Sequence, residues 1–77
     1  MILYQRKALR EARAEAEAAV ALHPAYAEAW ELLGAICFDL GEFQASSAAL
    51  EKADSITPTP RIRANIALAR ERLKKKS

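Results

Sequence analysis

Apolar residues recur every three or four positions through most of this chain, which is the spacing of one face of an α-helix. The stretch from Ile2 to Leu22 contains no Pro or Gly, so we predict one amphipathic helix that ends near Pro24. A second helix is predicted over Ala27–Leu40. Gly41 then supplies the left-handed residue that commonly follows a helix end.

The second half of the chain shows two more segments of the same kind. A third helix is predicted over Glu42–Ser55 and is stopped by Pro58, because proline cannot continue a helix. Thr59 suits the N-cap and Pro60 the first position of a fourth helix that runs to about Lys75. The sequence therefore predicts an all-α chain of four helices in a single domain, residues 1–77.

The chain also resembles itself at an offset of 34 residues. The identical pairs are Ala14 with Ala48, Glu17 with Glu51, Ala19 with Ala53, and Pro24 with Pro58. This register makes the first and third helices equivalent, and a period of this length is typical of stacked helix-turn-helix repeats.

Residues 27–60 carry a set of apolar and glycine positions at fixed spacings. The set comprises Trp30, Leu33, Gly34, Gly41, Phe43, Ala53 and Pro58. It resembles the signature of the tetratricopeptide repeat family, whose unit is a pair of antiparallel helices. The resemblance implies one complete repeat at 27–60 with a half-repeat on each side. Residues 1–24 resemble the second helix of a repeat, and residues 61–77 resemble a basic capping helix.

The last helix carries two apolar stripes, and only one can face the repeat. Packing as a first repeat helix would bury Ala64, Ala67 and Leu68. Packing as a cap would instead bury the stripe formed by Ile62, Ile66, Ala69 and Leu73. We prefer the cap, because the residues equivalent to Trp30 and Gly34 are lost in this helix.

Size and charge narrow the class of protein. A chain of 77 residues holds one small domain. Its net charge of +2 conceals a split, because residues 1–60 carry five basic and nine acidic side chains whereas residues 61–77 carry seven basic and one acidic. No apolar run approaches the length of a membrane span. A single cysteine, Cys37, suits a reducing compartment, so we expect a cytoplasmic protein.

Candidate chemistry is sparse. His23 lies at a helix boundary and Cys37 on an apolar helix face, so we expect a turn residue and a buried thiol rather than a catalytic pair. No second His or Cys stands at metal-ligand spacing. We therefore predict neither an enzyme nor a cofactor, and expect a protein–protein interaction module.

In the family, ligands usually occupy the concave groove lined by the first helices of the repeats. By resemblance, the groove residues here are Glu28, Glu31, Leu32, Ala35, Phe38, Asp39, Asn65 and Ala69. Their acidity predicts a basic peptide or helix as partner. The family's groove for chaperone C-terminal carboxylates uses Lys, Asn and Arg where this chain has Glu31, Ala35 and Ile66, so that partner is not expected.

A single repeat is short for a stable stack, which suggests either part of a longer array or self-association. The first helix lacks the partner helix of a full repeat, and we expect a homodimer that covers its apolar residues Leu3, Leu9, Ala12 and Ala16. Two alternatives stay open. One is a nucleic-acid-associated adaptor that uses the basic C-terminal helix, although that helix has no aromatic residue for base stacking. The other is an engineered repeat protein without a natural ligand.

Overall fold

The computed structural model describes residues 6–76, and the side chains of residues 7–75. It contains four helices, α1 (Arg6–Leu22), α2 (Ala27–Asp39), α3 (Phe43–Ile56) and α4 (Pro60–Lys76). The predicted all-α fold of helical hairpins is confirmed. The bounds of α2, α3 and α4 agree with the predicted ones to within one residue, whereas the first residues of the predicted first helix lie outside the described range.

The helix ends follow the signals in the sequence. Gly41 adopts a φ of 82°, a left-handed conformation that a β-carbon disfavours. This turn lets the Glu42 amide donate to the Cys37 carbonyl at 2.9 Å, which closes the end of α2. At the start of α4, the Thr59 hydroxyl accepts a hydrogen bond from the Ile62 amide at 3.1 Å, as an N-cap does.

Each helix packs against the next along the chain, and the core falls into two connected clusters. The first cluster joins α1, α2 and α3 through Ala16, Val20, Ala29, Leu33, Ile36, Cys37, Leu40 and Ala49. The second joins α3 and α4 through Leu50, Ala53, Ile62 and Ile66. Trp30 packs against both clusters, and its indole N–H donates to the Pro24 carbonyl at 2.8 Å. It therefore connects the α1–α2 turn to the rest of the core.

Helices α2 and α3 approach each other most closely at Gly34. A β-carbon at this position would lie 2.6 Å from Leu50 Cγ and 2.8 Å from its Cδ2. The Ser46 hydroxyl donates to the Gly34 carbonyl at 2.7 Å across the same contact. Only glycine leaves room for this packing, because both Leu50 and Ser46 are buried.

Of the two apolar stripes on α4, the structure buries the one expected of a cap. Ile62, Ile66 and Ala69 are 2%, 7% and 0% exposed. Ala64 and Ala67 are exposed, whereas packing as a first repeat helix would bury them. At an offset of 34 residues, the buried residues of α4 do not correspond to the buried residues of α2. Helix α4 is therefore rotated about its own axis relative to α2.

Candidate functional site

A pocket lies between α2 and α4. It has a volume of about 130 Å³ and is lined by Gly34, Ala35, Phe38, Asp39, Leu50, Asn65 and Leu68. Most of this lining is apolar, and Leu50 closes the floor because it is buried in the α3–α4 cluster. Asp39 and Asn65 supply the polar atoms. An apolar cavity of about 150 Å³ holds a benzene molecule, so this pocket has room for one apolar side chain.

The structure brings four of the predicted groove residues together in this α2–α4 pocket, namely Ala35, Phe38, Asp39 and Asn65. Leu32 is 56% exposed on α2 but does not line the pocket. Ala69 is not available to a ligand, because α4 turns it into the core, where it is completely buried. The prediction that Ala69 lines the groove assumed the helix orientation of a repeat, which α4 does not adopt.

Two predicted acidic residues lie elsewhere, in a cleft at the start of α2. Glu28 and Glu31 line this cleft together with Tyr26, Thr59 and Arg61. The hydrogen bond to the Glu28 carboxylate raises the pKa of Tyr26, and the charge of that carboxylate adds to the effect. Glu31 forms a two-point ion pair with Arg61, with N–O distances of 2.7 Å and 3.0 Å. Its charge is therefore compensated within the chain.

Phe38, which lines the pocket, forms an aromatic pair with Phe43. The rings of Phe38 and Phe43 meet edge to face, with centroids 5.1 Å apart. The guanidinium of Arg72 lies 5.4 Å from the centroid of Phe38 and 6.0 Å from that of Phe43. This cation–π contact gives one basic residue of α4 a role within the fold.

Three further arginines of α4 pair with acidic residues of α2 and α3. In addition to the Arg61–Glu31 pair, Arg63 contacts Asp54 at 3.2 Å and Arg70 contacts Glu51. The basic helix and the acidic body predicted from the sequence are therefore complementary partners within one chain. These pairs connect α4 to α2 and to α3.

The match to known families settles what residues 27–60 are. The family model described as tetratricopeptide repeat matches this stretch, which spans α2, α3 and the turn up to Pro60. Residues 27–60 are a tetratricopeptide repeat. No curated protein and no solved structure is significantly similar to the chain. The tetratricopeptide family is generally a non-enzymatic fold that mediates contacts between proteins.

The signature residues of the tetratricopeptide repeat have the structural roles described above. Leu33 and Ala53 are buried in the two core clusters, and Gly34 provides the close helix contact. Pro58 stands in the turn between α3 and α4. All of these residues build the fold.

The described residues predicted for self-association lie on the face of α1 that packs against α2. Ala16 is only 3% exposed, and Leu9 and Ala12 are half-buried against the core that α1 shares with α2. Leu3 lies outside the described residues. Helix α1 has one apolar stripe, and α2 covers most of it. The stripe is therefore largely buried within the chain.

His23 and Cys37, the two candidates for chemistry in the sequence, lie on separate elements. His23 is exposed in the α1–α2 turn, and Cys37 is a free, buried thiol. Burial, followed by the nearby Glu42 carboxylate, raises the pKa of the Cys37 thiol. No group of three potential metal ligands comes together in this part of the chain. No helix within residues 6–76 is long and apolar enough to cross a membrane.

Sequence reasoning missed three residues of the pocket, one of which, Gly34, was predicted only as part of the repeat signature. Leu68 is 44% exposed at its mouth, and Leu50 forms its floor. The 34-residue register makes Leu68 equivalent to the buried Gly34, because the register assumes the repeat orientation that α4 does not adopt. The sequence pattern alone presents Leu68 only as an alternative core residue.

Proposed function

We propose that this chain is a protein-interaction module whose tetratricopeptide repeat binds a partner segment in the α2–α4 pocket. The observation that carries the proposal is a mostly apolar recess between α2 and α4, of a size that fits one side chain and lined also by the polar residues Asp39 and Asn65. A partner residue such as Leu or Met would fill it, and its backbone would lie over Asn65. The amide of Asn65 can both donate and accept hydrogen bonds there.

The charges near the pocket support a partner with a basic residue beside its apolar anchor. Asp39 lines the pocket, and its side chain is exposed. Glu31 contributes little to this preference, because Arg61 already neutralises it. The proposed preference for a basic partner therefore rests mainly on Asp39. Glu28, which lies in the cleft at the start of α2, contributes second.

The ion pairs of α4 favour protein binding over the nucleic-acid alternative. Arg61, Arg63 and Arg70 are engaged with carboxylates, and Arg72 lies over two aromatic rings. Phosphate contacts by these residues would have to replace contacts that hold the helix in place. Binding to an unstructured polynucleotide that falls steeply with salt would instead support the adaptor function.

We further propose that the bound partner is a different protein and that the module works in the cytoplasm. Residues predicted to pair two copies, Ala16 above all, pack within the chain, which weakens the case for a homodimer. The charged residues exposed on α4, among them Arg63, Glu71 and Lys75, support its proposed role as the cap of the stack. A buried thiol at Cys37 suits a reducing compartment.

Selection from a random peptide library displayed on phage tests the proposed pocket. We expect the wild-type chain to enrich peptides with one apolar anchor next to Lys or Arg. Ala35→Arg should abolish their binding, since Ala35 is exposed and lines the pocket. Ala67→Arg is the matched control, because Ala67 is also exposed on a helix but lies outside the pocket.

The charge preference is tested separately with Asp39→Asn. This variant should keep the apolar anchor but lose several-fold in affinity for the basic peptides, because one exposed ion pair contributes up to about 1 kcal/mol. Equal binding by the Ala35→Arg and Ala67→Arg variants would refute the pocket. An unchanged affinity of Asp39→Asn would refute only the basic specificity.

A further inference from the structure

The surface beneath α4 combines an apolar strip with an acidic border. Leu50 and Ala53 of α3 form the strip together with the adjoining ring of Trp30. The carboxylates that contact α4 are those of Glu31, Glu51 and Asp54. We call this combined surface the docking strip. It faces the buried stripe of α4, and Leu50 is the residue that it shares with the α2–α4 pocket.

Helix α4 shows which chemistry fits the docking strip. Its buried residues, Ile62, Ile66 and Ala69, follow one another at intervals of four and three residues. Arginines directly flank this stripe at both ends, Arg61 and Arg63 beside Ile62 and Arg70 beside Ala69. The chemistry that fits the docking strip is therefore that of a basic amphipathic helix. Its apolar stripe has two β-branched residues and one small residue, and arginines flank the stripe at both ends.

Helix α4 lies at one end of the stack, and its ion pairs with α2 and α3 are exposed to solvent. The side chains of Arg61, Arg63 and Arg70 are 72%, 68% and 61% exposed, so their ion pairs are screened by water and salt. Helix α4 packs mainly on α3, whereas α2 packs on both α1 and α3. A helix at one end of a stack opens locally at a lower free-energy cost than the elements inside it.

We propose that the docking strip is a second binding site, latched by α4, for a basic amphipathic helix of another protein. The incoming helix would carry the pattern of α4 and would take its place on α3. Because Asn65 and Leu68 of α4 complete the α2–α4 pocket, displacement of α4 would also dismantle that pocket. The inference goes beyond the pocket function, and each site is tested with its own variants.

This latch makes a quantitative prediction about affinity. A ligand that binds only the open chain shows an apparent Kd equal to its intrinsic Kd divided by the open fraction. Changes that loosen α4 without touching the docking strip must therefore tighten the binding of a helix supplied in trans. A ligand that binds anywhere else would not respond in this direction.

The probe is a fluorescein-labelled peptide with the sequence of residues 59–76, and its binding to the full chain is followed by fluorescence anisotropy. The chain variant carries Arg61→Gln, Arg63→Gln and Arg70→Gln, whereas the peptide keeps its arginines. We expect the variant chain to bind the peptide about tenfold more tightly than the wild-type chain, because three exposed ion pairs together contribute on the order of a factor of ten. Equal or weaker binding by a folded variant would overturn the proposal.

A charge swap places the peptide on the docking strip. The Glu51→Lys chain should prefer a peptide with Arg70→Glu over the wild-type peptide by about threefold, and the wild-type chain should show the reverse preference. The preference must invert even if the variant chain is less stable, because both peptides are compared on the same chain. The same order of preference in both chains would overturn the assignment of the site.

Two further measurements separate this partner from charge attraction alone and from exchange of α4 between copies. A peptide with Ile62→Asp and Ile66→Asp loses the apolar stripe, and we expect no binding. Binding as tight as that of the wild-type peptide would show charge attraction alone and overturn the proposal.

Light scattering without peptide should give the mass of one chain, 8.5 kDa. A doubled mass that the triple Arg→Gln variant abolishes would mean that α4 exchanges between copies, and would overturn the proposed partner.

Discussion

Replacing Gly34 by Ala probes the closest contact between α2 and α3. The new β-carbon would lie 2.6 Å and 2.8 Å from two atoms of Leu50 and 3.3 Å from the Ser46 carbonyl oxygen. Leu50 is only 2% exposed, so its side chain cannot swing into solvent. The two helices must move apart, which also stretches the 2.7 Å hydrogen bond between the Ser46 hydroxyl and the Gly34 carbonyl.

The expected loss of stability follows from three contributions. Overpacking of a filled core costs about 1–3 kcal/mol, and a weakened hydrogen bond adds about 0.5–1 kcal/mol. The higher helix propensity of Ala offsets these costs by about 1 kcal/mol. We therefore expect a net destabilisation of about 0.5–3 kcal/mol, against a total of about 4–12 kcal/mol for a chain of this length.

Urea denaturation followed by circular dichroism at 222 nm measures this change. Adding Leu50→Ala to Gly34→Ala makes room for the new methyl group, so the double variant should lose less stability than the sum of the two single variants. Gly41→Ala is the control without a contact, since nothing lies within 4 Å of its β-carbon and only its positive φ is strained. A Gly34→Ala variant at least as stable as the wild type would refute the close approach.

Two other variants test separate parts of the core. Trp30→Ala removes a ring that packs against both clusters, so it should cost about 3–5 kcal/mol, a large part of the total stability, and lower the midpoint of thermal unfolding. An unchanged thermal melt would contradict the role of Trp30. For Cys37, burial raises the pKa in the folded state above the unfolded value of about 8.5, so the stability of the neutral thiol is present below that value and is lost as the pH rises through the folded pKa. The urea midpoint of the wild type should therefore fall more between pH 7 and pH 10 than that of Cys37→Ala, and equal shifts would show that the thiol is not buried.

Local signals in the sequence determined the helices and the repeat. Pro58, Pro60 and Gly41 fix helix ends through their own backbone geometry, so the bounds of α2, α3 and α4 needed no tertiary information. The 34-residue register and the spacing from Trp30 to Pro58 specify the repeat, because each of these residues meets a steric demand of one hairpin. Four residues that the family resemblance assigns to the groove, Ala35, Phe38, Asp39 and Asn65, lie together around the α2–α4 pocket.

The tertiary structure alone decided which faces are buried and which charges meet. Helix α4 offered two apolar stripes of similar quality, and only its packing on α3 selected Ile62, Ile66 and Ala69. The partners in the Arg61–Glu31 and Arg70–Glu51 pairs are 30 and 19 residues apart, beyond the reach of helical periodicity. A helical pattern gives the angle of each side chain about its own axis, whereas the choice of neighbour depends on the free energy of packing the whole stack.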